Sequence, residues 1–269
     1  MRGITRRQFA GATGLALAVP GAVVAADLKP ETLHGFDEYI RRREHRLNEE
    51  RLKAGSSRFL WLDDSPQRRD RAKAGEVAIE AAVQNNPRSV PGGLIHDWAA
   101  GVFIPSVNLA RVLGIVQDYD RHKQLYRPEV IDSKLIRRDG DHFSVYYRLM
   151  KKKVITAVLD TEHDVRYFSM GSGRIHSRSY STKITEVESP GEAGEKELAA
   201  GDGHGFLWRL NSYWRFAERD GGVYVECEAV SLTRGIPFGL GWMIEPIIRD
   251  LPQESLEKSL GATRNAAKV

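Results

Sequence analysis

The sequence predicts an α+β domain in which leading helices are followed by antiparallel strands and one closing helix. Three observations carry this prediction. Strand-like segments follow one another along the second half of the chain with turn residues between them, and the last segment is an amphipathic helix. In addition, one face of the last predicted hairpin is so rich in aromatic side chains that the closing helix must cover it. A curved sheet that grips a helix leaves room for an apolar cavity, so we expect a binding pocket.

The N-terminus predicts export. Residues 1–26 contain the motif Thr5-Arg6-Arg7-Gln8-Phe9, and a glycine- and alanine-rich apolar run follows it. This pattern is typical of a twin-arginine (Tat) signal peptide, and small residues at Val24 and Ala26 allow cleavage before Asp27. A general secretory signal and a retained membrane anchor remain alternatives, although the run is shorter than the roughly 20 apolar residues of a span. The expected location is the periplasm or the cell envelope.

Charge and cysteine content bear on two further points, the presence of a nucleic-acid partner and of a disulfide. The chain has a formal net charge of +4, and Arg2, Arg6 and Arg7 of the predicted signal account for three of these charges. Because the mature chain is then nearly neutral, we expect no nucleic-acid partner. The single cysteine, Cys227, excludes an internal disulfide, and its position in the middle of a predicted strand favours a buried apolar role.

A charged helical extension is predicted between the signal and the domain. It occupies residues 27–74, ahead of a domain at residues 75–269, and its apolar side chains recur at helical intervals from Phe36 to Leu47. We expect this extension to lie at the periphery of the domain or to stand off it. Its basic run Arg41-Arg42-Arg43 allows a peripheral contact with anionic lipid, with a solvated helix face as the alternative.

The predicted domain opens with strands at residues 76–82 and 94–104. A helix with Ser106 as its N-cap follows, and Asp139-Gly140 is a strong hairpin signal. The remaining predicted strands occupy residues 130–138, 142–150, 153–159, 165–170, 174–187, 206–218 and 223–233. An exposed polar connection is expected at residues 188–205, and the terminal helix at Pro246–Ala266.

The last hairpin alternates with period two, so its two faces differ in character. One face is apolar, and the other carries Arg209, Asn211 and Arg215 opposite Glu226 and Glu228. We expect the charged face to be solvated, with cross-strand ion pairs that stabilise the fold little. The alternative is an inverted sheet in which Arg209 and Glu226 form the polar floor of a pocket.

The predicted ligand-binding residues lie on the apolar face of this hairpin and in the segment after it. They are Trp208, Leu210, Ser212, Trp214, Val225, Cys227, Ser231 and Trp242. Among them, Ser212 and Ser231 place hydroxyl groups between apolar side chains, where each needs a hydrogen-bond partner. That partner is protein, water or the polar end of a ligand.

No catalytic residue, metal or cofactor is predicted. The eight histidines are scattered without metal-ligand spacing, and neither a nucleophile elbow nor a phosphate loop is present. His96 and Asp97 are neighbours, but adjacent strand residues point to opposite faces of a sheet.

Several motifs together resemble a known superfamily. They are His96–Gly101 before a helix, Asp118-Tyr119-Asp120 and Tyr126-Arg127-Pro128 at the helix exit, Tyr224–Glu228 with Ser231–Arg234, Ile236–Trp242, Leu251–Leu256 and Ala262-Thr263-Arg264. Over about residues 75–267 the chain resembles the bacterial START-like proteins of the helix-grip (SRPBCC) superfamily. The resemblance implies a curved antiparallel sheet wrapped around a long C-terminal helix. Members include lipid carriers, polyketide cyclases and ring-hydroxylase subunits, so the resemblance implies a fold and no particular chemistry.

The leading functional prediction is an exported, monomeric protein that binds a hydrophobic or amphipathic, lipid-like small molecule between sheet and helix. One alternative is an enzyme of the polyketide cyclase or hydrolase type, with a histidine or carboxylate aimed into the same cavity. The other is a non-catalytic envelope protein that contacts its partner through the basic N-terminal helix.

Overall fold

In the computed structural model, residues 26–53, 56–152, 156–236 and 241–268 are described, without the side chains of residues 56 and 241–247. The export signal predicted for residues 1–26 therefore lies outside the described residues except for Ala26. The described helices are α1 (Pro30–Leu47), α2 (Pro66–Lys73), α3 (Leu109–Val116), α4 (His122–Leu125) and α5 (Gly241–Lys268).

The described strands alternate with tight turns. They are β1 (Ala78–Ala81), β2 (Arg88–Val90), β3 (Gly93–Pro105), β4 (Val130–Asp139), β5 (His142–Lys152), β6 (Thr156–Gly171), β7 (Arg174–Glu188), β8 (Lys196–Glu197), β9 (Arg209–Arg219) and β10 (Gly222–Arg234). All pairings are antiparallel, and the order across the sheet is β1-β3-β10-β9-β7-β6-β5-β4, with β2 beside β3 and β8 beside β7.

The sheet is open and curves around α5. Strands β1 and β4 lie at opposite edges, and α5 packs directly on β3 and β10. Register shifts within the β4–β5 and β6–β7 pairs bend the strands further along the sheet. A curved antiparallel sheet around a long C-terminal helix is the helix-grip fold, so the predicted α+β fold class is confirmed.

The inner face of the sheet forms the main apolar core with α5. Period-two alternation places Val102, Phe216 and Val225 of three adjacent strands on this face, where they pack with Leu256 and Leu260 of the helix. Leu260 is fully buried, and one helical turn separates it from Leu256. The predicted pairing of the aromatic strand face with the closing helix is what builds this core.

The N-terminal segment covers the outer face of the same strands. Phe36 and Tyr39 of α1 pack with Ile95, Val230 and Leu232 on the side of the sheet opposite α5. A second outer cluster joins residues 59–62 to β3 and β10. Both faces of the central strands are therefore buried.

Below α1, a buried network of charges joins the helix to the sheet. Arg215 is 3% exposed and forms ion pairs with Glu226 and Glu228, which are 0% and 1% exposed. Arg43 of α1 forms a second ion pair with Glu228 and contacts Asp97 at 2.9 Å. The predicted Arg–Glu pairing is present, but the predicted solvation of this face is wrong, because the N-terminal segment excludes water from it.

The carboxylates of this network also accept hydrogen bonds from neutral donors. The backbone amides of Trp61 and Leu62 donate to Glu226 at 2.9 and 3.2 Å, and the Tyr39 hydroxyl donates to Asp97 at 2.6 Å. Buried carboxylates need such donors to offset the loss of hydration. Because the network lies on the face opposite α5, the alternative of an Arg209–Glu226 pocket floor is wrong as well.

Two predicted elements differ from the structure. The described residues of the strands predicted at 153–159 and 165–170 belong to one continuous strand, β6, and residues 153–155 lie outside the described residues. The polar residues between Asp160 and Asp164 pair with β5 and β7 instead of turning. The helix predicted to begin at Ser106 begins at Leu109, since Asn108 caps it by accepting a hydrogen bond from the Arg111 amide. Ser106 has φ of 61°, a left-handed turn conformation in which it cannot start the helix.

The terminal helix is longer than predicted, since α5 begins five residues before Pro246. Within the part of the chain that the structure describes, no helix has an apolar stretch long enough to cross a bilayer.

Candidate ligand-binding site

A cavity of about 300 Å³ lies between α5 and the inner face of the sheet. Helix α5 lies directly on β3 and β10, and the cavity occupies the space between the helix and the strands further along the sheet. Apolar and aromatic side chains form most of its lining, including Leu149, Leu159, Phe206, Trp214, Leu251 and Leu256. Its volume is at the lower end of the range for small-molecule pockets, roughly 300–1,000 Å³.

Aromatic and apolar clusters bound the cavity along β6. At the start of the strand, Ala157 packs with Phe206 and Leu251. Towards its other end, Phe143 contacts the rings of Tyr119 and Tyr167, with ring centroids 5.3 and 5.6 Å apart. Members of both groups line the cavity, so apolar and aromatic side chains bound it at both places along β6.

Five of the predicted site residues line this cavity. They are Leu210, Ser212, Trp214, Cys227 and Ser231, all on the inner face of β9 and β10. Burial raises the pKa of the Cys227 thiol, so this cysteine is a neutral wall residue.

Of the other three predicted site residues, two lie outside the cavity lining and the side chain of the third is not described. Val225 shares the inner face but is fully buried in the core beside the cavity. Trp208 packs in the outer cluster with Tyr213 and Val230, because β9 begins at Arg209 and the period-two alternation does not extend back to residue 208. The side chain of Trp242 lies outside what the structure describes.

Two histidines reach the cavity, and both are neutral at pH 7. His122 Nδ1 lies 2.9 Å from the Tyr147 hydroxyl, and His163 Nε2 lies 3.2 Å from the Thr161 hydroxyl. Burial lowers the pKa of His163 to about 4. Burial also lowers the pKa of His122 to about 4, although neighbouring backbone carbonyls partly oppose the shift.

The lining tyrosines are neutral too, and protein partners hold their hydroxyl groups. Tyr119 and Tyr167 lie 3.1 Å apart at their oxygens, and Tyr126 lies 3.0 Å from the Thr263 hydroxyl. Burial raises the pKa of Tyr126 to about 12 and that of Tyr167 well above its usual value. The lining histidines and tyrosines therefore give the cavity hydrogen-bonding groups without charge.

Charged groups gather where Lys151 of β5 and Glu129 meet the middle of α5. Lys151 contacts the Glu129 carboxylate and the Ser255 hydroxyl, and Lys258 donates to Glu129 at 3.0 Å. Burial lowers the pKa of Lys151, with Glu129 partly opposing it. Burial also raises the pKa of Glu129, but the two lysines outweigh this effect and lower it overall. Glu129 thus pairs with both lysines, and with Arg127 the described charged residues that line the cavity are three cations and one carboxylate.

Sequence reasoning missed the lining contributed by the middle strands. Tyr147 and Lys151 of β5 and His163 of β6 face the cavity, as does His122 of α4. Their strands do alternate with period two, so the signal was present. Because the prediction divided β6 into two short strands, it did not show that β6 presents one continuous inner face beside β5 and β7.

The arrangement can enclose an apolar molecule and offer it a few neutral polar contacts. Among the described residues, no three His, Cys, Asp or Glu side chains come together as a metal site. His122 and His163 are paired with hydroxyl groups and not with a carboxylate that would orient them as bases.

By sequence, the chain matches no protein-family model and no curated protein. Several solved structures are similar in fold. A STAR-related lipid transfer protein from Xanthomonas axonopodis has 16% identity and a TM-score of 0.47, covering 72% of this chain and 99% of its own. The lipid transfer and protein localization domain of human StarD13 has 10% identity and a TM-score of 0.44, covering 77% and 96%.

A third similar structure is the Zhui aromatase/cyclase from Streptomyces sp. R1128, with 12% identity and a TM-score of 0.39, covering 65% of this chain and 94% of its own. At these identities and TM-scores the likeness carries no conclusion about ligand or activity. The open antiparallel sheet around a long C-terminal helix is the helix-grip arrangement that the sequence resemblance implied.

Proposed function

We propose that this START-like helix-grip domain binds a hydrophobic or amphipathic, lipid-like small molecule in the cavity between the sheet and α5. The observation that carries the proposal is a cavity of about 300 Å³ whose walls are mostly apolar. Removing apolar ligand surface from water stabilises a complex by about 25 cal/mol per Å² before the costs of binding. Native mass spectrometry and solvent extraction of the purified protein test whether a ligand is retained.

A variant that fills the cavity gives a direct test. Ala262 lines the cavity from α5, so Ala262→Phe places a ring in the space that the ligand needs. We expect the variant to bind the uncharged fluorescent probe Nile red at least about 10-fold more weakly than the wild type, a loss of about 1.4 kcal/mol. A fluorescence titration measures this change.

The matched control is Asn265→Phe, which adds the same ring to an exposed position of the same helix. It should leave Nile red binding unchanged, and circular dichroism should show that both variants fold. A wild-type protein that does not bind Nile red, or a cavity variant that binds it equally well, would contradict the proposal.

The second candidate function is an enzyme of the cyclase or hydrolase type. The observation in its favour is that His122 and His163 reach the cavity with shifted pKa values. The shift is downward and comes from burial, which makes both groups weak bases near pH 7. Recovering an extracted ligand unchanged after prolonged incubation with the protein supports binding, whereas a change in its mass that depends on His122 supports the enzyme.

Export to the periplasm or envelope is part of the proposal and rests on the sequence of residues 1–26. We expect Arg6→Lys/Arg7→Lys to retain the protein in the cytoplasm, because the twin-arginine pair is the recognised element of such a signal. Cell fractionation with an antibody measures this, and unchanged export of the variant would exclude a twin-arginine route. Arg41 and Arg42 of α1 are exposed and therefore accessible to anionic lipid. The same fractionation reports whether the protein is held at the membrane.

A further inference from the structure

The polar groups that line the cavity divide into two sets. In the first set, every hydroxyl already has a protein partner. Ser255 contacts Lys151, the Ser259 hydroxyl donates to the Ser255 carbonyl at 2.8 Å, and the Thr233 hydroxyl lies 3.1 Å from His96 Nε2. The lining tyrosines, Nδ1 of His122 and Nε2 of His163 are paired in the same way. These groups are not available to a ligand without breaking an existing contact.

The second set consists of the His122 Nε2 atom and of four serines on the sheet wall, Ser177, Ser179, Ser212 and Ser231. All of them line the cavity, and within the described ranges no protein atom forms a hydrogen bond with these groups. Ser231 is 4% exposed, so its hydroxyl is buried without a partner. Leaving such a group unsatisfied costs about 1–3 kcal/mol, which a bound molecule can recover.

The strand register places these serines on adjacent strands. Ser179 of β7 lies directly opposite Ser212 of β9, and Ser231 of β10 lies opposite Leu210, two residues before Ser212. Side chains directly opposite each other in an antiparallel pair have Cβ atoms about 4.5–5.5 Å apart. Ser177 lies on the same face of β7, two residues before Ser179. The four hydroxyl groups therefore form one patch across three strands, which we name the serine wall.

The chemistry of the serine wall selects a kind of ligand. A serine hydroxyl both donates and accepts a hydrogen bond, so the wall suits an oxygen that is itself neutral. An ionised group would lose its hydration there, because the charged residues that line the cavity lie on β5, on α5 and in the segment before β4 and not on the strands of the serine wall. We propose that the ligand carries a neutral oxygen function, a hydroxyl, carbonyl or ester group, that binds the serine wall while its hydrocarbon part fills the apolar space. This inference rests on the proposed binding function.

Displacement of Nile red by three ring compounds of similar shape tests whether the serine wall binds a neutral oxygen. The compounds are 2-naphthol, 2-methylnaphthalene and 2-naphthoate. They present a hydroxyl, a methyl and an ionised carboxylate on the same frame. We expect Ser212→Ala/Ser231→Ala to weaken 2-naphthol binding by about 5- to 10-fold, since a neutral hydrogen bond contributes about 1 kcal/mol. The affinity for 2-methylnaphthalene should be unchanged or higher, and 2-naphthoate should bind the wild type more weakly than 2-naphthol.

The matched control is Ser259→Ala, which removes a lining hydroxyl that a backbone carbonyl already occupies. This variant should bind 2-naphthol like the wild type. Equal loss of 2-naphthol and 2-methylnaphthalene, or no loss of either in the double variant, would overturn the serine wall and leave the proposed binding function intact. If no compound displaces Nile red and Nile red itself does not bind, the proposed function fails and this inference fails with it.

Discussion

Lowering the pH from 7.5 to 5 should lower the free energy of unfolding of this protein by several kcal/mol, because the fold keeps four buried histidines neutral. Burial lowers the pKa of His96, His122, His163 and His176 from about 6.5 to about 4. For His96 a nearby arginine adds to the effect of burial, and for His176 two arginines do so. Two of the four line the cavity and two lie elsewhere in the sheet.

The loss of stability on lowering the pH follows from the different protonation of the histidines in the folded and unfolded states. Below pH 6.5 the unfolded chain takes up a proton at each histidine, and the folded chain does not until the pH reaches about 4. Stability is therefore complete above pH 6.5 and is lost as the pH falls through this window. At about 1.4 kcal/mol per pH unit, each histidine removes about 2 kcal/mol by pH 5. Four such losses are comparable with the 5–15 kcal/mol by which ordinary domains are stable.

Urea unfolding followed by tryptophan fluorescence at pH 7.5, 6 and 5 measures this loss. His163→Gln should flatten the pH dependence by about one proton, since burial alone shifts this histidine. The exposed His34 serves as the control, and His34→Gln should leave the profile unchanged. A free energy of unfolding that stays constant between pH 7.5 and 5 would contradict the prediction.

Replacing Arg215 with methionine should lower the free energy of unfolding by about 3–5 kcal/mol. Arg215 is the central cation of the buried network and pairs with both Glu226 and Glu228. Methionine fills a similar volume, so the cost comes from carboxylates left without compensation in a site that water does not reach. Denaturant unfolding at pH 7.5 is the measurement.

Two further variants separate charge from packing. Arg209→Met lies on the same face of the same strand but removes only a hydrogen bond to the Trp208 carbonyl, so it should cost less than about 1 kcal/mol. Adding Glu226→Gln and Glu228→Gln to the Arg215→Met variant should restore part of the lost stability. If Arg215→Met costs no more than Arg209→Met, the network does not stabilise the fold in this way.

Local alternation was sufficient to assign the inner face of the last hairpin. Leu210, Ser212 and Trp214 follow period two within one strand, and Cys227 and Ser231 follow it in the next, so the strand pattern alone placed them together. The pattern could not place Trp208, because it does not show at which residue the strand begins. Nor could it join the two halves of β6, whose polar middle resembles a turn until its partners on both sides are known.

By itself, the sequence determined the fold class, the pairing of an aromatic sheet face with the closing helix and the serines among the apolar residues. These properties depend on neighbours within one strand or one hairpin. Only the tertiary structure decided that the opposite, charged face is buried and that the cavity extends beneath the middle strands. Arg43 and Glu228 are 185 residues apart in the chain. A charged side chain on a strand has the same local pattern whether water or another helix covers it, and only the packing of α1 determines which of these occurs.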